Sequence, residues 1–479
     1  MKTFFWGTLL VCLVVLSTIT GLAQNSNDAL RLSTPGLTIG ARSLGMGSVW
    51  TGTANDYSAM YTNPAGLGQV RTSEISVGLS NLSFNNTSTF FGNAGSMSSS
   101  STSLNNVGFV YPFPTTRGSM VFSAGYVRDA DYTSALAFNG FNPSSTMINA
   151  LVNYGTDGER ATLYDWYIAD KGPWRTRIVD SLQQQGRMVE GGGTNNWVVA
   201  GAIEAARNLY FGISLTFVSG SYTFVKSYTE TDTRNKYTVQ RFDSGYALTS
   251  FNVNRTINED IGGYTAKLGI VYRPNVATRL GLSIKLPTYY AIQETYTDDW
   301  TGQFDVADPA SGSNTVFSPA DGRPEFDVHT PFVFNAGFSY ALGNLLLAGD
   351  VDYTDWTQMS FANADPSIEA INTDIKELYQ ATANLRVGAE FEFPQTGIRI
   401  RAGYAYLPSA LKGDPSDFAR KYITGGVGFI IDDMVAIDFG YARGSYTTNH
   451  SNYYDQPDLS VTTEKVTTNS IIGTVSYRF

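Results

Sequence analysis

The stretch "SIIGTVSYRF" (470–479), the last ten residues, carries the reading on which the fold turns. Side chains alternate across a strand with a period of two. Ile471, Gly473, Val475, Tyr477 and Phe479 therefore share one face. Ile472, Thr474, Ser476 and Arg478 share the other. One face is apolar with an aromatic end, and the other is mostly polar. A soluble sandwich would lay the apolar face on a second sheet. A membrane barrel would turn it to lipid and line its lumen with the polar face.

Segments upstream repeat the pattern. Val435, Ile437, Phe439 and Tyr441 share a face. Ile398, Ile400, Ala402, Tyr404 and Tyr406 lie opposite Arg399, Arg401 and Gly403. Leu385, Val387, Ala389, Phe391 and Phe393 lie opposite Arg386, Gly388, Glu390 and Glu392. If 394–397 is a turn, Glu392 meets Arg399 and Glu390 meets Arg401. Each such pair stabilises by roughly 0.2–1 kcal/mol. Four ionisable groups turned to lipid would cost several times that, so they face inward. Asp350 and Asp352 fall on the same side, which makes the lumen polar with both signs of charge.

Connection lengths choose between the two architectures. Short links at 112–118, 206–208, 274–278, 342–344, 394–397 and 432–434 alternate with long polar ones. The long ones are 85–103, 129–195, 230–258, 297–324, 357–377, 409–420 and 449–464. Sorting loops by length between two rims is the asymmetry of an outer-membrane barrel. The predicted strands are 73–84, 104–112, 119–128, 195–206, 208–229, 260–273, 279–296, 325–341, 345–356, 378–393, 398–408, 421–431, 435–448 and 464–479. The expected fold is thus all-β, a 14-stranded antiparallel transmembrane barrel. An even count places both ends of the barrel on the short-turn, periplasmic side.

Composition agrees. Aromatic content is 13 %, charged content 15 %, with 47 Gly and 29 Tyr among 479 residues. Residues 1–23 read as a secretory signal peptide, with Lys2, an apolar run and a small-residue cleavage site before Gln24. The only cysteine, Cys12, lies in that run, so the mature chain has no disulfide and no cysteine-based metal site. Beyond it no apolar run reaches about 18 residues, which excludes a transmembrane helix. The net charge of −10 argues against nucleic acid as a partner.

Other features call for reading in this frame. The segment 161–188 lacks a period of two and holds Tyr164, Trp166, Tyr167 and Trp174. These aromatics either pack the loop on the barrel or form an apolar ligand-landing site outside. Residues 367–379 predict a short amphipathic helix through Ile368, Ile371, Ile375 and Leu378. Ahead of the barrel, "YTNPAGLG" (61–68) has the Pro and Gly density of a compact turn rather than a helix. Two histidines, His329 and His450, stand far apart and suggest no metal site. No cofactor motif and no nucleophile–base arrangement is visible, so no enzyme is expected.

The N-terminal order "GMG" (45–47), "ANDYSA" (54–59), "NPAGL" (63–67) resembles the FadL/TodX family of outer-membrane transporters for hydrophobic compounds. "DAL" (28–30) and "RTSE" (71–74) resemble the branch common in Bacteroidota-type bacteria, some of whose members are labelled haemin receptors. The resemblance runs from about residue 28 to the end of the chain. It implies a hatch within the lumen over 24–72, followed by a barrel over 73–479. The hatch element maps to Asn63, Pro64, Ala65 and Gly66. It also implies passive uptake of fatty acids or aromatic hydrocarbons, captured at outer loops and released sideways through a kink in strand three. Gly125 is the residue in 119–128 best able to interrupt a ladder. Barrels of the PorV type, which dock secretion components, share similar N-terminal elements and imply an alternative role. Terminal Phe479 resembles the signal such barrels present to their assembly machinery in the outer membrane.

Overall fold

The computed structural model describes residues 25–238, 247–307, 313–454 and 458–479. The expected leader 1–23, with Cys12, lies outside them, as does Gln24. The strands are β1 Glu74–Phe90, β2 Asn93–Phe113, β3 Met120–Asp131, β4 Ser134–Asn142, β5 Leu182–Ala206, β6 Leu209–Thr231, β7 Leu248–Tyr272, β8 Thr278–Lys285, β9 Tyr289–Phe304, β10 Thr315–Gly322, β11 Glu325–His329, β12 Val333–Leu342, β13 Leu345–Asp355, β14 Ser360–Ala362, β15 Ala381–Glu392, β16 Ile398–Leu407, β17 Arg420–Ile431, β18 Val435–Ser451 and β19 Val461–Arg478. The helices are α1 Ser26–Ser33, α2 Ala41–Gly45, α3 Met147–Tyr154, α4 Asp157–Asp165, α5 Pro366–Glu369 and α6 Ile371–Leu378.

All ladders are antiparallel, and β1 pairs with both β2 and β19, which closes the ring. These segments compose a closed 14-stranded barrel. Some strands are interrupted. Pro287 separates β8 from β9, and Pro331 separates β11 from β12. Proline has no N–H to give a ladder. The two breaks are neighbours, bridged where the Thr288 N–H donates to Thr330 Oγ1 at 2.8 Å.

The predicted register holds at the hairpin of opposed charges: Glu390 faces Arg401 and Glu392 faces Arg399. The last strand turns Val475, Tyr477 and Phe479 outward and buries Ile472, Thr474 and Ser476. On β6 the outward side chains are Phe211, Ile213, Leu215 and Phe217, and then the polar Ser219. That change marks the upper edge of the lipid-facing belt on this strand. No helix of the described residues is long and apolar enough to cross a membrane; the crossing is made by strands.

The outer rim departs from expectation. The expected loop 129–195 contains β4, α3, α4 and the first half of β5, and 230–258 contains the start of β7. Above the belt the outward face meets water, so Gln183, Gln185 and Arg187 replace apolar residues there. The alternation that identifies a membrane strand disappears while the strand continues. These extensions and α3–α4 enclose an apolar cap built on Phe90, Phe138, Ile148, Trp166, Phe251 and Trp300. Residues 366–378 form two short helices that bury Ile368, Ile371 and Ile375 as predicted, whereas Leu378 remains exposed.

Candidate functional site

Residues 40–63, ahead of β1, pack against the ring of strands. Their contacts reach wall strands all the way round: Gly40 N–H to Asn105 on β2, Asn63 to Ile270 on β7, Trp50 to Asp350 on β13, Gly47 to Thr424 on β17 and Ala41 to Thr474 on β19. Only a segment inside a closed barrel can touch all of these strands.

The fit depends on glycines that face inward from the wall. A Cβ on Gly212 would stand 2.3 Å from Ala65 N, one on Gly281 2.0 Å from Thr51 O, and one on Gly403 2.1 Å from Gly47 N. Backbone lies against backbone at these points, with no space for a side chain. Gly125 differs: a Cβ there would stand 2.4 Å from Val107 O of the neighbouring strand and 2.6 Å from the flexible end of Met60.

"NPAGLG" is not a simple turn. Pro64–Gln69 form a 3₁₀ helix, contrary to the expectation from its Pro and Gly. Asn63 caps it: its Oδ1 accepts from the Ala65 N–H, and its Nδ2 donates to Thr51 O at 3.0 Å. Pro64 sits at the first helical position, where its missing N–H costs nothing. Asn63, Pro64, Ala65 and Gly66 are all buried.

The lumen charges anchor this segment. Arg42 donates from Nε and Nη2 to the two oxygens of Glu390, at 3.0 and 2.9 Å. Glu390 also accepts from Arg401 Nε at 2.6 Å, and Arg401 reaches Asp438 at 2.6 Å. Arg386 pairs with Asp352 and lies over the Trp50 ring at 4.4 Å. Arg399 bonds Glu392 at 2.8 Å nearer the rim. Asp350, which sequence reading placed only in the lumen, accepts from the N–H groups of Trp50 and Thr51 at 2.6 and 2.7 Å. The predicted charges are thus brought together, and Arg42 is the partner that strand reading missed.

The irregularity in the third strand is not at Gly125. Gly125 is paired normally, to Gly108 on one side and Val198 on the other. The β2–β3 ladder ends at Asn106–Val127, and over 93–104 the backbone of β2 is laddered to β1 alone. The β3–β5 register shifts between Arg128 and Asp131. The chain then bends at Tyr132–Thr133, where Asp131 Oδ1 accepts from the Thr133 N–H at 3.0 Å, and β4 follows. The signal was "DADYT" (129–133): Asp is disfavoured in strands and favours turns. Ser101 Oγ, at 2.6 Å from Asp131 Oδ2, bridges the split between β2 and β3.

A cavity of about 880 Å³ reaches this split from within. Its floor includes Leu44 and Leu37 of the inner segment, and its walls include Leu82, Phe84, Tyr132 and Ile472. Lys226 and Arg420 add basic groups to the same lining, and burial holds the His450 imidazole neutral, pushed down to about 4. Helix α1 lies along it, with Arg31 held between two rings, 3.5 Å over Tyr222 and 5.2 Å from Tyr132, and ion-paired to Glu259 at 2.7 Å.

The loop aromatics divide. Trp166 is buried in the cap. Tyr164 meets Trp174 edge-on at 6.4 Å, and Tyr167 is exposed with a φ of +63°. None of the four lines the cavity. At the base of the cap Glu230 Oε1 accepts from the Met147 N–H at 2.7 Å, Gln184 Nε2 at 2.8 Å and the Tyr228 hydroxyl at 2.8 Å. Glu230 lies well above the lipid-facing belt, and burial pushes its carboxyl up to about 7. His329 packs on Tyr289 at 4.7 Å, away from His450 in the cavity. No cluster of His, Cys, Asp or Glu among the described residues is placed to hold a metal.

Comparison with known proteins bears on what such a site does. The toluene transporter TodX of Pseudomonas putida is similar in fold, at 15 % identity and a TM-score of 0.56, over 92 % of this chain and 99 % of that one. A FadL homologue of Pseudomonas aeruginosa aligns at 12 % identity and 0.57, over 92 % and 98 %. The toluene transporter TbuX of Ralstonia pickettii aligns at 16 % and 0.50, over 92 % and 99 %. No curated protein matches the chain by sequence. A family model described as outer membrane protein transport protein (OMPP1/FadL/TodX) matches residues 194–479. The chain therefore belongs to the OMPP1/FadL/TodX family of outer-membrane transport proteins.

Proposed function

We propose that this barrel takes up hydrophobic small molecules passively and releases them sideways through the split between β2 and β3. The observation that carries this reading is the cavity: the tightly seated inner segment borders it below, and Arg128–Thr133, where the β2–β3 ladder has ended, line its side. In this reading 25–72 act as a hatch, and the element at Asn63–Gly66 holds it closed. Lateral release suits apolar cargo. Delivery into water would lose about 25 cal/mol for each Å² of apolar surface, and delivery into hydrocarbon avoids that loss. Of the two expected ligand types our reading takes the fatty acid: its tail would lie on Leu82, Phe84 and Ile472 and its carboxylate near Lys226 or Arg420, in a lining that also carries Asp28, Glu190 and Glu464.

A cross-link tests the route. Ser101→Cys with Asp131→Cys places two thiols across the split, and the only other cysteine is Cys12. Oleate uptake by cells carrying the double variant should stop on oxidation and return on reduction. Uptake that is indifferent to the cross-link would sink the lateral route. Toluene taken up in preference to oleate would overturn the choice of ligand.

A further inference from the structure

The outward face above the belt is not uniform. On β7, β9 and β11 its charged residues are acidic: Asp260, Asp299, Glu325 and Asp327. On β17, β18 and β19 the outward positions instead carry Lys421, Arg443 and Lys465. They share one face by strand parity with the exposed Ile423, Tyr441 and Ile471 just below. The register brings them together. Lys421 lies opposite Ser445, Arg443 lies two residues below Ser445, and Lys465 lies opposite Thr447. With strands about 5 Å apart and a rise near 3.4 Å per residue, these backbones span about 15 Å, within reach of long Lys and Arg side chains converging on one anion between them. The outward neighbours Ser445, Thr447, Thr467 and Asn469 are neutral hydrogen-bonding residues. None of the three cations is ion-paired among the described residues.

We infer that this patch binds the phosphorylated headgroup of a glycolipid in the outer leaflet. The patch lies just above the apolar belt on the long-loop side, which is headgroup depth. A headgroup phosphate there would take charge-assisted bonds from Arg443 and the two lysines, with Ser445 and Asn469 as neutral partners. Its acyl chains would lie on Ile423, Tyr441 and Ile471. An acidic chain that concentrates outward positive charge on three adjacent strands has a fixed place for an anion, and an annular lipid is the anion present at that depth.

Purified barrel in detergent, titrated with bisphosphorylated lipid A and followed by native mass spectrometry, tests this. The K421Q/R443Q/K465Q variant should bind it on the order of a hundredfold more weakly, given three lost cations at an anionic surface. The control variant D260N/D299N should bind as the parent does. Retained heat-modifiability on gels shows that each barrel is folded. Equal binding of dephosphorylated lipid A, or unchanged binding by the triple variant, would overturn the inference. Full displacement by millimolar inorganic phosphate, or equal binding of phosphatidylglycerol, would overturn the glycolipid assignment in favour of a site for any anion.

Discussion

Replacing Arg42 by Gln tests whether the inner segment is latched by charge. Arg42 makes two charge-assisted bonds to Glu390, a third to Asn55 Oδ1 at 2.7 Å, and an ion pair with Asp56 at 3.7 Å. Glu390 keeps Arg401, so the substitution does not orphan a buried carboxylate, and the full cost of breaking a buried pair does not apply. Two bonds to a charged group at about 1.5–3 kcal/mol each give about 4 kcal/mol after partial replacement by water. At about 1.4 kcal/mol per tenfold, local opening of 41–53 should rise roughly a thousandfold. Hydrogen exchange of the intact protein in micelles reads this directly. The barrel itself, followed by heat-modifiability, should be little changed, and Arg42→Lys should fall between. Unchanged protection over 41–53 would refute the latch. Equal loss of protection in β16 and β17 would show that Arg42 supports the wall instead.

Other expectations follow from the same contacts. Gly212→Ala places a methyl group 2.3 Å from Ala65 N, where only backbone can yield, so 63–69 should lose exchange protection while barrel content by circular dichroism persists. Normal protection there would show that the wall gives way. For Glu230, burial raises the folded value to about 7 from an ordinary 4.5, so its contribution is complete below about 4.5 and is lost as pH rises through 7. Exchange in α3, corrected for its intrinsic rate, should therefore accelerate between pH 5.5 and 8.5 in the parent and much less in Glu230→Gln. A flat parent profile would count against this. Arg31→Met removes the ion pair with Glu259 but keeps an apolar stem between the rings, and should loosen α1 by about 1–3 kcal/mol without affecting α2. Coupled loosening of both helices would show that the inner segment moves as one unit.

The barrel was legible in the sequence because lipid enforces an apolar face wherever a strand crosses it. The pairs Glu390–Arg401 and Glu392–Arg399 could be placed because a one-residue slip would turn all four charges outward. Above the belt that constraint ends, and so did legibility: β4 and the upper half of β5 carry Gln, Asn and Arg outward and look like loop. Gly125 is the residue of its strand best suited to a kink, but it is paired on both sides, and Val107 O of β2 with the Met60 side chain crowds the place of a Cβ. That crowding depends on partners distant in sequence, which no local pattern reports. Conversely, the bend at 129–133 was announced by two aspartates in five residues, a local signal that stood in plain sequence. Arg42 escaped because it lies outside every strand, in a segment whose contacts all come from elsewhere in the chain.

The inward glycines have a consequence for how the pore would behave as an electrical element. An inner segment seated backbone against backbone has one seat. Sliding it along the wall by one residue would drive Cβ atoms into carbonyl groups at several points of the ring together. It cannot settle part-way. In planar bilayers a single barrel should stay silent for long periods and then pass current in steps of one size, without a graded series of partial openings.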